Sequence, residues 1–144
     1  MRTKVIFLLL GVSSLSVSTT GQGPTITAVA TVKQLCQGVI TASSDALFNV
    51  GREAPSSDYE WTVLHNDALM LAESGNLLMI GGRARDADEW MVMSQELVDA
   101  GVVAVEAVEA RNTEHVLAAG DQIVVVCEKC HEPYRDGGIS MPIR

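Results

Sequence analysis

Cys127-Glu128-Lys129-Cys130-His131 places two thiols three residues apart, with an imidazole directly after the second, close to the end of a 144-residue chain. On a helix, positions three apart share a face, so Cys127 and Cys130 can present both sulfurs to one flat partner. The string C-x-x-C-H is the signature of covalent c-type haem attachment. Two thioethers would form along one edge of the porphyrin, and His131 would give iron the nitrogen of a proximal bond. The fold must then supply a helix near its C-terminus beside a pocket able to take a flat ring.

Other uses of the same five residues lead to different folds. A redox dithiol of Cys127 and Cys130, as in a thiol-disulfide oxidoreductase, wants strand-helix-strand surroundings, and little strand pattern precedes the motif. A structural zinc site needs a fourth ligand beyond Cys127, Cys130 and His131, and no second C-x-x-C or H-x-x-x-H exists in the chain. A plain disulfide between Cys127 and Cys130 leaves His131 without a role.

The opposite end of the sequence addresses the chain. Arg2 and Lys4 precede an apolar stretch from Val5 to Val17, followed by small polar residues from Ser18 to Gly23. This pattern is that of a secretory signal peptide, taken here as residues 1–21, with cleavage anywhere from Ser18 to Gly23. Thirteen residues, softened by serines, at about 1.5 Å each fall short of a hydrocarbon layer about 30 Å thick, so no permanent membrane span is expected. Export to the periplasm agrees with covalent haem ligation, which bacteria carry out beyond the cytoplasm.

Residues 22–144 form one domain of common size. Removing Arg2 and Lys4 takes the formal charge from −8 to −10. Such an acidic chain argues against nucleic acid, whose phosphates demand a basic footprint, and favours redox partner proteins with a basic docking face. Aromatic residues make up only 4% of the chain, so Ala, Val, Leu and Met must build the core, with a flat ligand as a plausible filler.

Apolar residues recur at helical spacing in four segments. The first runs from about Thr25 to Asn49 and aligns Val29, Val32, Cys36, Ile40 and Leu47, stopping near Gly51 and Pro55. The second opens on a capping box of Ser57 and Glu60 and continues through Trp61, Leu64, Ala68 and Leu71 to Leu78. The third opens at Asp86 with Glu89 in the box position, then turns Trp90, Met93, Leu97, Ala100 and Ala104 inward. The fourth follows Asn112 and Thr113 and aligns Val116, Gly120, Ile123, Cys127 and Cys130. Its β-branched run from Ile123 to Val126 would also suit a buried strand, and the helical spacing decides. Short connections between antiparallel helices give the expected fold: all-α, an antiparallel up-down-up-down four-helix bundle.

Four helices, an export signal and one C-x-x-C-H at Cys127 to His131 resemble the class II cytochromes c, the cytochrome c prime group and its low-spin relatives. The resemblance implies a mono-haem electron carrier with one covalent haem c lying inside the bundle, bound by the last helix and covered by the first. It also implies a homodimer through segments one and two. Met141 follows His131 too soon for the ligand arrangement of class I cytochromes c. In low-spin relatives a Met of the first helix binds iron on the distal side. In the high-spin proteins an apolar residue there leaves iron five-coordinate and open to a diatomic gas such as nitric oxide or carbon monoxide. Cys36 occupies that position here, as a distal metal ligand opposite His131. A thiolate would favour ferric iron and lower the potential. Cys36 has two other readings, an inert buried hydrophobe and an intermolecular disulfide.

Further candidates carry less weight. Met70, Met79, Met91 and Met93 read as core packing, with Met79 the best of them as an iron ligand. His65 and His115 read as surface histidines. Arg83, Arg85 and Arg135 suit haem propionates by their guanidinium forks, with surface solvation the equal alternative. Asp58, Glu60 and Glu89 read as helix-start charges rather than paired catalytic carboxylates.

Overall fold

The computed structural model describes residues 25–135; the expected signal peptide, its cleavage site and Met141 lie outside the described residues. Within them the chain is all-helical, with four helices and no strand. Helix α1 covers residues 32–49 and is built from an α-helical turn Val32–Leu35, a π-helical segment Cys36–Ile40 and an α-helical stretch Thr41–Asn49. Helix α2 is Asp58–Leu78, α3 is Glu89–Glu109 and α4 is Thr113–Tyr134. The β-branched run from Ile123 to Val126 lies within α4. Packing decides its conformation, because Ile123 is fully buried in the shared core while Val124 and Val125 face outward.

Side chains at the helix starts absorb the first free amides. Ser57 accepts from the Glu60 amide while Glu60 reaches back to the Ser57 amide, the box expected from the sequence. Asn112 caps α4 by accepting from the His115 amide. Two starts differ from expectation. The first helix begins at Val32, not near Thr25, because Thr31 and Gln34 form a capping box there. Val29 therefore stands outside the helix and is 92% exposed. Asp86 does not pair with Glu89 in a box: its carboxylate accepts from the Asp88 and Trp90 amides, and α3 starts at Glu89.

Arg111 ends α3 with a left-handed backbone, φ 50°. The Asn112 amide then reaches the Ala107 carbonyl at 3.1 Å, the hydrogen bond that closes a helix end before a reversal. Arg111 also pairs with Asp58 at 2.7 Å across the start of α2, although both side chains are largely exposed.

The core lies among all four helices and is built from Leu47, Leu64, Leu71, Leu97, Val108, Val116 and Ile123 with intervening alanines. Helix α2 packs most extensively on α3, and α3 on α4, whereas α1 meets α2 and α4 mainly through Thr41–Asn49. Closeness between α2 and α3 comes from missing side chains. A Cβ on Gly101 would stand 2.5 Å from the Ala72 Cα, and one on Gly75 would stand 2.7 Å from the Ser94 carbonyl oxygen. No described helix is long and apolar enough to cross a membrane.

Candidate functional site

The C-x-x-C-H motif occupies the last two turns of α4. Helical spacing turns Cys127 toward the core, against which it packs half-buried, as does Cys36 of α1. Cys130 is likewise half-buried, and His131, one position on, is exposed. Near this end α1 consists of its first turn and the π-helical segment, in which the Thr41 amide bonds back to the Cys36 carbonyl over five residues. The wider turn of that segment lets both Leu35 and Ile40 reach the core, and Cys36 packs half-buried against it.

Helices α1 and α4 touch closely at one end only, where Gly120 lies beneath Phe48 and Gly51 against Leu117. Toward the motif the gap widens into a cavity of about 490 Å³ that Cys36, Cys130 and His131 line together. Val32, Leu78 and Trp90 give it apolar walls, while Lys33, Arg85 and Arg135 surround it with positive charge. The volume lies within the range of small-molecule and cofactor sites, about 300–1,000 Å³. Two larger hollows, of about 570 and 640 Å³, are open depressions at the start of α3 and beside the α1–α2 connection, and neither contains a thiol or an imidazole. Chemistry therefore singles out the smaller, more enclosed space.

All three thiols are held protonated. Burial pushes Cys36 up. Burial, with Cys36 and Glu128 nearby, does the same for Cys127. Burial, then the negative charge that Cys36 and Cys127 would carry, pushes Cys130 up to about 11. The motif sits at a helix C-terminus, where the backbone carbonyls present negative partial charge and oppose a thiolate. Reactive C-x-x-C thiols commonly sit at the opposite place, a helix N-terminus.

Most of the donor set suits a haem: Cys130, His131 and Cys36 line one cavity with Lys33, Arg85 and Arg135, while Cys127, one turn earlier on the same helix face, is not among the lining residues. Among the described residues no three His, Cys, Asp or Glu side chains converge as a metal cage. A closed zinc site of four protein ligands is therefore not preformed around Cys127 and Cys130.

The remaining candidates separate clearly. Arg83 is buried, and its guanidinium donates to the Ala30 carbonyl at 2.8 Å and the Leu77 carbonyl at 3.0 Å, so it braces the backbone instead of facing the cavity. Arg85 and Arg135 do face it. His65 is half-buried beside Glu109 at 3.2 Å, and His115 is exposed in the first turn of α4. Met93 is buried in packing, Met70 is exposed, and none of Met70, Met79, Met91 and Met93 lines the cavity. Sequence reasoning missed Lys33 and Tyr134 as cavity residues. Lys33 is one turn before Cys36 and Tyr134 one turn after His131, so the spacing from each candidate ligand was the available signal.

No protein-family model, no curated protein and no solved structure matches this chain, and its functional reading rests on its own residues.

Proposed function

We propose that this chain is an exported mono-haem c-type cytochrome that carries electrons in the periplasm. Cys127 and Cys130 hold the haem covalently, His131 is the proximal ligand and Cys36 the distal one. The observation that carries the reading is the meeting of Cys36, Cys130 and His131 in one cavity, although α1 and α4 are the most distant elements in sequence.

The fold belongs to the proposal too, as an antiparallel up-down-up-down four-helix bundle of the class II cytochrome c type. Contacts of Gly75 with Val98 and Gly101 with Ala72, and of Phe48 with Gly120 and Leu117 with Gly51, run in opposite sequence directions and support that arrangement. Lys129 with Glu96 and Tyr134 with Asp86 add the same sense for α3 and α4.

A bound haem supplies one-electron exchange between ferric and ferrous iron. The chain does the rest. Val32, Leu78 and Trp90 exclude water from the cavity and lower its dielectric, which tunes the potential. Lys33, Arg85 and Arg135 offer charge partners to the two propionates. The acidic exterior draws a partner protein with a basic docking face, which meets the anionic remainder of the surface rather than the cationic mouth. Assembly as a homodimer through α1 and α2 completes the family expectation.

One observation favours a second haem reading. Burial holds Cys36 as a neutral thiol, a weak ligand until it loses its proton. Without that bond the distal side would bind a diatomic gas. The thiol-disulfide reading, by contrast, finds its two sulfurs at the wrong end of a helix.

Visible spectra of the exported protein in ferric and ferrous forms, with a pyridine haemochrome assay, test the proposal. A c-type haem with low-spin bands supports the carrier with Cys36 bound. High-spin bands that shift under carbon monoxide move the function to gas binding. A colourless protein overturns both.

A further inference from the structure

The last turn of α4 is weak by construction. Pro133 lies inside it and has no amide hydrogen, so the Lys129 carbonyl loses its usual partner four residues on. Inside the helix the end is closed by the Arg135 amide bonding to the His131 carbonyl at 3.0 Å. Outside the helix, Tyr134 reaches across to the α2–α3 connection and donates its phenol hydrogen to Asp86.

Asp86 is a shared anchor. One carboxylate oxygen accepts from the Asp88 amide at 3.0 Å and the Trp90 amide at 2.9 Å, fixing the start of α3, and the other takes the Tyr134 hydroxyl. Trp90 adds a second tie, because its ring meets the Tyr134 ring edge-on at 5.0 Å and 82°. Trp90 is itself held: it is buried, and its indole hydrogen goes to the Leu78 carbonyl at 2.9 Å. Tyr134 thus connects the motif turn to α2 and α3 through two independent contacts. It also lines the cavity three residues after His131, so the two side chains lie on adjoining parts of one helix face.

We propose that Asp86 and Tyr134 form a latch that fixes the turn bearing Cys130 and His131 and thereby sets where the His131 imidazole stands at the cavity. Both are positioning residues. The latch stands on the hydrogen bonds alone, whereas its effect on a haem ligand rests on the haem reading above.

The test uses the full exported chain with Tyr134→Phe, Asp86→Asn and the double variant. In haem-free protein, amide hydrogen exchange at residues 131, 132, 134 and 135 quickens about tenfold or more in Tyr134→Phe, while α2 keeps its protection, because a hydrogen bond to a charged acceptor has been lost. In haem-loaded protein, the ferric electron paramagnetic resonance g values, which report imidazole orientation, shift in each single variant and no further in the double variant. Unchanged exchange in Tyr134→Phe would overturn the latch. Wild-type g values in the variants, or shifts that add in the double variant, would overturn the positioning of His131. Should Asp86→Asn fail to fold, Tyr134→Phe alone still decides. A colourless wild-type protein whose motif turn is nonetheless protected by Tyr134 would overturn the haem role of the latch and the proposed function, while leaving the latch itself in place.

Discussion

The α2–α3 seam and the motif end of the α1–α4 seam are built on opposite rules. At the first, glycine and alanine face each other, backbones approach until a single Cβ would collide, and no room for a ligand remains. At the second, a cavity opens that Cys36, Cys130 and His131 line. Small residues thus close a helix pair for stability, and their absence at the far seam leaves space for function. The closed seam is the platform on which the open one is displayed, since Leu78 of α2 and Trp90 of α3 form its floor.

The same substitution at a packed glycine and at an exposed one tests the tightness of the closed seam most severely. Gly101→Ala drives a methyl into the Ala72 backbone and should cost about 3 kcal/mol, read by denaturant unfolding. Gly38→Ala, within the π-helical segment of α1 with nothing near its added Cβ, should be neutral or stabilise by up to about 1 kcal/mol. Equal losses would show that the α2–α3 seam at Gly101 is no tighter than an exposed helix position.

Arg83→Met comes next in size. It leaves the Ala30 and Leu77 carbonyls short of a donor beneath the approach to α1, and should cost about 2 kcal/mol in melting experiments. Ser57→Ala, at the closed seam's entrance, removes half of a capping box and should cost about 1 kcal/mol.

Cys36→Ala should cost the haem-free chain less than about 1 kcal/mol, because its side chain faces an open cavity, yet it should change the ferric spectrum of the loaded protein. A large stability loss with an unchanged spectrum would make Cys36 an ordinary core residue. The smallest effect concerns pH. Cys130 stays protonated until about 11, so its alkylation in the haem-free chain should be slow at pH 8 and keep rising through pH 10, where an ordinary exposed thiol has levelled off. The Asp86–Tyr134 contact has its own window. The phenol hydrogen bond holds Asp86 below the usual carboxylate range and lifts Tyr134 to about 12. Its stabilisation is lost as pH falls through the lowered carboxylate value, and lost again as pH rises through about 12.

Much of this was legible in the residues. The motif, the apolar periodicity and the Ser57 and Asn112 caps each depend on neighbours within a turn, where spacing carries the information. The start of α1 was legible too, since Thr31 and Gln34 spell a capping box, but the apolar repeat continued back to Val29 and obscured it. The π-helical segment was hidden, because a five-residue step from Leu35 to Ile40 breaks the period on which helix reading relies. Arg83 and the Asp86–Tyr134 contact were hidden for another reason: their partners come from remote segments, and nothing local distinguishes a buried arginine from a solvated one.

Intact-mass analysis of the exported chain, followed by proteolysis, tests the central claim most directly. The account predicts a chain heavier by one haem that survives acid extraction, with the added mass on the peptide that contains Cys127 and Cys130 and absent from the Cys127→Ser, Cys130→Ser variant. An unmodified mass, with Cys127 and Cys130 recovered as free thiols or as a disulfide, would contradict it.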